Sequence, residues 1–217
     1  MQIPILYEDE EIIVCHKPSG MPVQTKSFMQ QDMENLLKNY RLKKGEPPYI
    51  GVVHRLDQPV EGVLVFAKTD EAAAELSRQM AAKLADKYYY AMVQGIPKKK
   101  KDILENYLLR DGKNNVSSVV LKSLPGAKRA ELSYEVLEEK NGYAVLRVRL
   151  VTGRHHQIRV QLSHAGFPIV GDKKYNFQEN ITPSGKYLAL CAYKISFRHP
   201  KTHKKLDFQI DKPYTLE

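Results

Sequence analysis

The chain has 217 residues, with 34 Lys and Arg against 25 Asp and Glu, a formal net charge of +9 at pH 7 and a pI near 9.3. With 42% hydrophobic and 27% charged residues, it cannot be an intrinsically disordered chain, a collagen-like repeat or a disulfide-stapled mini-protein. A chain of this length buries roughly 70% of its unfolded surface, enough for one domain with a real core, and its positive surplus points to an anionic partner, nucleic acid first.

Met1 to Glu11 has neither a basic leader region nor an apolar stretch of signal-peptide kind, and no apolar run approaches the roughly 20 residues of a membrane helix. The expectation is a soluble, cytoplasmic protein. The first strand signal is Ile12-Ile13-Val14, ended by the turn residues Lys17-Pro18-Ser19-Gly20. Gln24 to Pro48 is polar, predicts a short helix around Met33 to Tyr40, and reads as the least regular and most mobile part of the chain. Val63 to Ala67 is a short apolar run of buried-strand character. Thr69 is placed to cap a helix whose first turn holds Asp70 and Glu71 and whose apolar stripe runs through Leu76, Met80 and Leu84. Tyr88 to Val93 returns as a strand ending at Gly95, so this stretch reads as strand, helix, strand.

Ala130 to Val136 and Tyr143 to Thr152 alternate apolar and polar residues around Asn141-Gly142, a strong hairpin signal. A helix is predicted over His155 to Ala165, with Ile158 and Leu162 on one face and Gly166 supplying the C-terminal left-handed residue. Strands over Tyr187 to Phe197 and Leu206 to Ile210 complete an α+β pattern around a largely antiparallel sheet. Cys15 and Cys191 lie in apolar strand-like runs without a CxxC motif and are expected to be buried free thiols.

Two segments carry reactive side chains. His54-Arg55-Leu56-Asp57 sits in a turn ahead of the Val63 run, where loop residues on a rigid scaffold can converge on a ligand. Thr152-Gly153-Arg154-His155-His156-Gln157-Ile158-Arg159 brings Arg154 and Arg159 to a helix start, a combination suited to phosphate or carboxylate. Arg159 lies beside the apolar stripe, so it needs a carboxylate partner, and Asp57 is the natural candidate. Asp172 reads as a turn-ordering residue or the holder of an arginine, and His54 and Gln157 read as supports of their motifs. The histidines form no HExxH or Cys/His cluster, so no metal is expected. Lys98 to Lys101 reads as an edge loop, with solvation and phosphate contact both open.

These two segments, Lys87-Tyr88-Tyr89-Tyr90-Ala91 with Val93 and Gly95, and Gly166-Phe167-Pro168-Ile169-Val170-Gly171-Asp172 with Tyr175 follow one another in a distinctive order. With Tyr7 to Val23 at one end and Ser196-Phe197-Arg198-His199-Pro200 at the other, they resemble the signature motifs of the RluA family of RNA pseudouridine synthases over essentially the whole chain. The resemblance implies the pseudouridine synthase catalytic fold, a largely antiparallel mixed sheet flanked by helices and loops, as one catalytic domain over residues 1–217 without an S4 RNA-binding domain. It implies isomerisation of uridine to pseudouridine in structured ribosomal or transfer RNA. That reaction has no redox step and no group transfer, so no cofactor or metal is expected; no membrane partner is expected either, and a monomer is the default state.

By motif position, Asp57 matches the family's essential carboxylate, Tyr89 the tyrosine against the uracil, Arg159 the basic partner of the aspartate, and Arg55 the arginine that enters the helical stack as the base leaves. His54, Arg154 and Gln157 complete the expected substrate-binding set. The family usually follows its aspartate with a basic residue, an acidic residue and Thr-Ser-Gly, whereas here the run is Gln58-Pro59-Val60-Glu61-Gly62, and Cys191 replaces a frequent histidine. Those departures leave open a non-catalytic RNA-binding or ribosome-associated protein on the same fold. A metal-dependent phosphodiesterase using the histidines is a more distant alternative.

Overall fold

A computed structural model of the chain describes residues 3–27, 29–176, 188–211 and 213–216. In chain order its elements are β1 (Ile5–Glu8), β2 (Ile12–Lys17), α1 (Met33–Lys43), β3 (Gly51–Val52), β4 (Glu61–Ala67), α2 (Asp70–Ala81) and β5 (Asp86–Gln94). There follow β6 (Lys101–Asp111), β7 (Val116–Val120), β8 (Lys128–Lys140), β9 (Tyr143–Leu150), α3 (Gln157–His164), β10 (Leu190–Arg198) and β11 (Lys205–Gln209). The residues fall into two compact units, one of Met1–Asp86 with Ala192–Asp211, the other of Lys87–Cys191 with Lys212–Glu217.

In the first unit the strand order is β1-β2-β4-β10, with β11 beside β10 and β3 beside β4. The register sets Ile13 opposite Phe66, Val14 opposite Val65 and Lys17 opposite Gly62. Ile12, Val14, Val65 and Ala67 pack with Ile195 and Phe197 against Ala72 and Leu76 of α2. That helix starts where the sequence places it: Thr69 Oγ1 accepts from the Ala72 N–H at 3.1 Å, and Asp70 and Glu71 meet the positive end of its dipole. Its end differs from expectation. Lys83 takes a left-handed backbone at φ 58, the chain turns, and Leu84 stands 56% exposed instead of continuing the Leu76 and Met80 stripe.

Among the described residues of the polar Gln24–Pro48 stretch, the predicted short helix forms as α1. Asp32 caps α1 by accepting from Asn35 N–H and also from Thr25 N–H, each at 2.8 Å. Met33 and Leu37 are fully buried, and Glu46 meets Lys68 at 3.0 Å and Arg41 at 3.1 Å.

The second unit carries an antiparallel sheet in the order β5-β9-β8-β6-β7. Asn141 and Gly142 both have positive φ, 52° and 81°, and form the two-residue turn between β8 and β9, as the Asn-Gly signal predicts. Val160 of α3 and Tyr175 pack on Leu108 of β6 and Ala130 of β8. Strands β6 and β7 have no counterpart in the sequence reading. Along β6 only Leu108 is buried, so the inward positions do not produce the two-residue hydrophobic rhythm by which a strand is recognised. The first strand, β1, is likewise too short to signal. Cys15 and Cys191 are buried thiols outside any disulfide, as expected, and Tyr187, at the start of the strand predicted over Tyr187 to Phe197, lies outside the described residues.

Candidate active site

Between β3 and β4 the chain runs through Val53–Val60. Leu56 is 8% exposed and anchors this loop in the interior, which leaves Arg55 exposed and Asp57 half-buried on either side of it. The Val60 N–H donates to the Asp57 carbonyl at 3.0 Å, closing a turn centred on Gln58 and Pro59. His54 Nε2 accepts from the Val65 N–H at 3.2 Å, so its ring extends the β3–β4 ladder by one side-chain bond.

Where the loop enters β4, Gly62 has φ +135°, and a Cβ built there would lie 2.3 Å from the Ala192 carbonyl oxygen. Only glycine fits that approach, so the one position retained from the usual run after the aspartate is the one the backbone dictates. Below the loop, the Lys17 side chain is fully buried at the end of β2. Its desolvation pushes the ammonium down to about 8, against the pull of Asp57 and Glu61.

In the second unit, Tyr89 lies on β5 with its ring buried at 6% exposure. It faces Val148 on β9, and Tyr134 follows on β8. Tyr88 and Tyr90 take the opposite, half-exposed face, the division the alternation of a strand requires.

Arg159 is 4% exposed on α3, and its Nε and Nη2 donate in a fork to the two Asp172 oxygens at 2.8 Å each. Asp172 Oδ1 also accepts from Lys174 N–H at 2.9 Å and Tyr175 N–H at 3.2 Å. The guanidinium stands 5.2 Å from the Tyr175 ring centre. Within its own unit the carboxylate that grips Arg159 is Asp172. This is the arginine-holding role that the sequence left open for Asp172.

Gln157 Oε1 accepts from Thr152 Oγ1 at 2.7 Å and from Arg154 N–H at 3.0 Å, while its Nε2 donates to the Glu131 carbonyl at 3.0 Å. It therefore locks the entry to α3, the support role its motif suggests. Arg154 is exposed, with Nε donating to the Arg129 carbonyl at 2.9 Å.

His156 occupies a left-handed backbone at φ 54 immediately before α3. Ser117 N–H donates to the Tyr175 hydroxyl at 2.7 Å, which leaves the phenol proton for His156 Nδ1 at 2.8 Å. Burial, then the Arg159 charge, with further contributions from His155, Lys174 and Arg110, holds His156 down to about 3. His155 stacks on it with ring centres 3.8 Å apart and reaches Ser117 Oγ at 2.9 Å. The adjacent histidines are thus tied to β7. Among the described residues no three His, Cys, Asp or Glu side chains form a metal-holding group.

Two residues that the sequence reading named without a role contribute: Lys17, one of its turn residues, is buried, and Tyr175 joins β7 to His156 through its hydroxyl. For Tyr175 the available signal was its spacing three residues after Asp172. On the Lys98–Lys101 run, Lys99 meets Asp102 at 3.1 Å, Lys100 meets Glu139, and Lys101 meets Glu135 at 2.9 Å.

Residues 11–164 match the family model described as RNA pseudouridylate synthase. The chain belongs to the RNA pseudouridylate synthase family. An uncharacterized RNA pseudouridine synthase of Helicobacter pylori strain J99 is 32% identical over 97% of this chain and 66% of its own length. The ribosomal large subunit pseudouridine synthase C of Vibrio vulnificus is 31% identical, covering 100% of this chain and 68% of that protein. Synthase D of Pseudomonas aeruginosa is 32% identical, over 98% and 69%. These relatives place the chain in the RluA branch that its motifs resemble, and the chain spans about two thirds of their lengths. Among solved structures, human RNA pseudouridylate synthase domain containing 4 superposes with a TM-score of 0.80 at 22% identity, over 97% of this chain and 88% of that one. The shared α+β fold is the one the sequence predicted.

Proposed function

We propose that the protein isomerises uridine to pseudouridine in structured RNA, with Asp57 as the essential carboxylate. The observation that carries this reading is the family match across residues 11–164, with Asp57 intact in a loop anchored by Leu56. In the reaction the N1–C1′ bond breaks, a C5–C1′ bond forms, the C5 proton leaves and N1 gains one. Atoms and electrons balance without an oxidant or reductant.

A uridine inside a helix cannot offer C1′ and C5 together, so it is flipped out at a cost of a few kcal/mol. Arg55, exposed on the Asp57 loop, is suited to fill the gap by stacking its planar cation on the neighbouring bases. Tyr89 supplies the aromatic face for the detached uracil and is placed to help remove the C5 proton. Arg159, fixed in orientation by the Asp172 fork, is the cation that the family motif assigns to the essential aspartate. Arg154 contacts the RNA backbone, while His54 and Gln157 shape the two substrate-binding segments. Two of the relatives carry large-subunit names, which favours ribosomal over transfer RNA as substrate. The test is to incubate the purified protein with cellular RNA lacking pseudouridine and map new sites. Discrete new pseudouridines are expected, and salt-dependent binding without isomerisation would instead establish the non-catalytic alternative.

A further inference from the structure

Strand alternation puts Tyr89, Val148 and Tyr134 on the buried face of the second unit's sheet and gives the opposite face of β5, β9, β8 and β6 a different set of side chains. On that opposite face Tyr88 and Tyr90 of β5 stand beside Arg149 and Arg147 of β9. Arg147 in turn stands beside Glu135 of β8, and Glu135 beside Lys101 of β6. Both arginines and Lys101 are exposed, and both tyrosines are half-exposed. Glu135 pairs with Lys101 at 2.9 Å and also with Arg147, so these side chains set three cations against one carboxylate. The carboxylates at the margin have cations of their own: Lys99 meets Asp102 at 3.1 Å, and Arg129 meets Glu105 and Glu131 at 2.7 Å each. Tyr88, Arg149, Arg147, Glu135 and Lys101 line an open cleft of about 530 Å³.

We propose that this face, opposite Tyr89, is a second RNA site that takes a single-stranded segment of the substrate, with bases stacked on Tyr88 and Tyr90 and phosphates set against Arg149 and Arg147. It rests on RNA as the substrate and not on the role given to Asp57. An aromatic ring offers its face to any base, and a guanidinium fork fits two phosphate oxygens. Residues two apart on a strand are separated by about 7 Å, twice the ~3.4 Å rise of a stacked nucleic-acid strand. Tyr88 and Tyr90 therefore suit bases spread apart in a single strand. A duplex turns its bases inward and presents nothing for the two rings. An acidic protein segment would meet the arginines but leave the tyrosines unused. A sheet face four strands wide, as this one is, has room for two or three bases.

The probe is a fluorescein-labelled oligocytidylate of about ten nucleotides, which offers bases and phosphates but no uridine for the catalytic site. Followed by anisotropy, Tyr88→Ala and Arg149→Ala should each weaken its binding about tenfold. Arg149→Ala should also lower the slope of log affinity against log salt by about 0.7, the share of one phosphate contact on a single strand. Tyr88→Phe keeps the stacking face and should bind within about threefold of wild type. On unmodified ribosomal RNA at saturation, Arg149→Ala should keep its single-turnover rate within about threefold while the half-saturating RNA concentration rises. Unchanged oligocytidylate binding in either alanine variant, or none by the wild type, would overturn the site. So would decaglutamate that displaces the probe as well as unlabelled oligocytidylate does, which would mark the face as one for acidic protein segments. If Tyr88→Ala does not fold, the exposed Arg149→Ala and its salt slope decide. If the wild type forms no pseudouridine, the catalytic reading fails, and oligocytidylate binding alone still judges this face.

Discussion

Acidification should unfold this protein partly through one histidine. His156 is held to about 3 in the native state against 6.5 when unperturbed, because burial desolvates its ring at 6% exposure and the Arg159 charge faces it. A histidine depressed in the folded state contributes stability that is complete above 6.5 and is lost as pH falls through 6.5 toward 3, since only the unfolded chain takes up the proton there. Each unit of difference is worth about 1.4 kcal/mol, so between about pH 7.5 and pH 5 this residue alone should remove about 2 kcal/mol. His156→Asn isolates the effect: asparagine tolerates the left-handed backbone, and its amide oxygen can take the place of Nδ1. Urea unfolding of both proteins at the two pH values cancels the contribution of the carboxylates common to them. The wild type should lose about 2 kcal/mol more than the variant. Parallel losses would show that native His156 protonates normally and that Tyr175 does not donate to it.

Three further outcomes follow from packing and charge. Gly62→Ala places a Cβ 2.3 Å from the Ala192 carbonyl at φ +135° and should cost about 3 kcal/mol or yield insoluble protein, read by thermal melting against Gly142→Ala, which has open space around it. Asp172→Asn breaks a fork on an arginine that is 4% exposed and should destabilise by about 3–5 kcal/mol in denaturant titration; a loss below about 1 kcal/mol would mean the pair is solvated. Cys15, buried and pushed up to about 12 by desolvation, should resist a thiol reagent in the native state and react at once in denaturant; rapid native labelling would contradict its placement in β2.

Where a local rule and the tertiary structure agree, the sequence was legible. Thr69 caps α2, Asn141-Gly142 closes its hairpin, the Val63–Ala67 run forms the core of β4, and Arg159 sits at the buried edge its apolar neighbours imply. Where the deciding partner is remote or a strand hides its rhythm, it was not. Leu84 fits a helical period that Lys83 has already ended. Strands β6 and β7 cover little apolar surface and so show little alternation. Arg159 announced its need for a carboxylate, and the turn that aims both Asp172 oxygens at Nε and Nη2 meets that need within its unit. Lys17 is the sharpest case. No single-sequence rule tells a turn lysine in water from an ammonium enclosed by three carbonyls, one of them 41 residues away.

Loss of the C5 proton gives the central claim a direct readout. RNA transcribed with tritium at C5 of uridine, incubated with wild type and with Asp57→Asn, should release tritium to solvent only with the wild type, while both proteins bind the RNA within a few fold of each other. Equal release by the two proteins, or none by well-folded wild type on ribosomal and transfer RNA alike, would contradict a pseudouridine synthase that acts through Asp57.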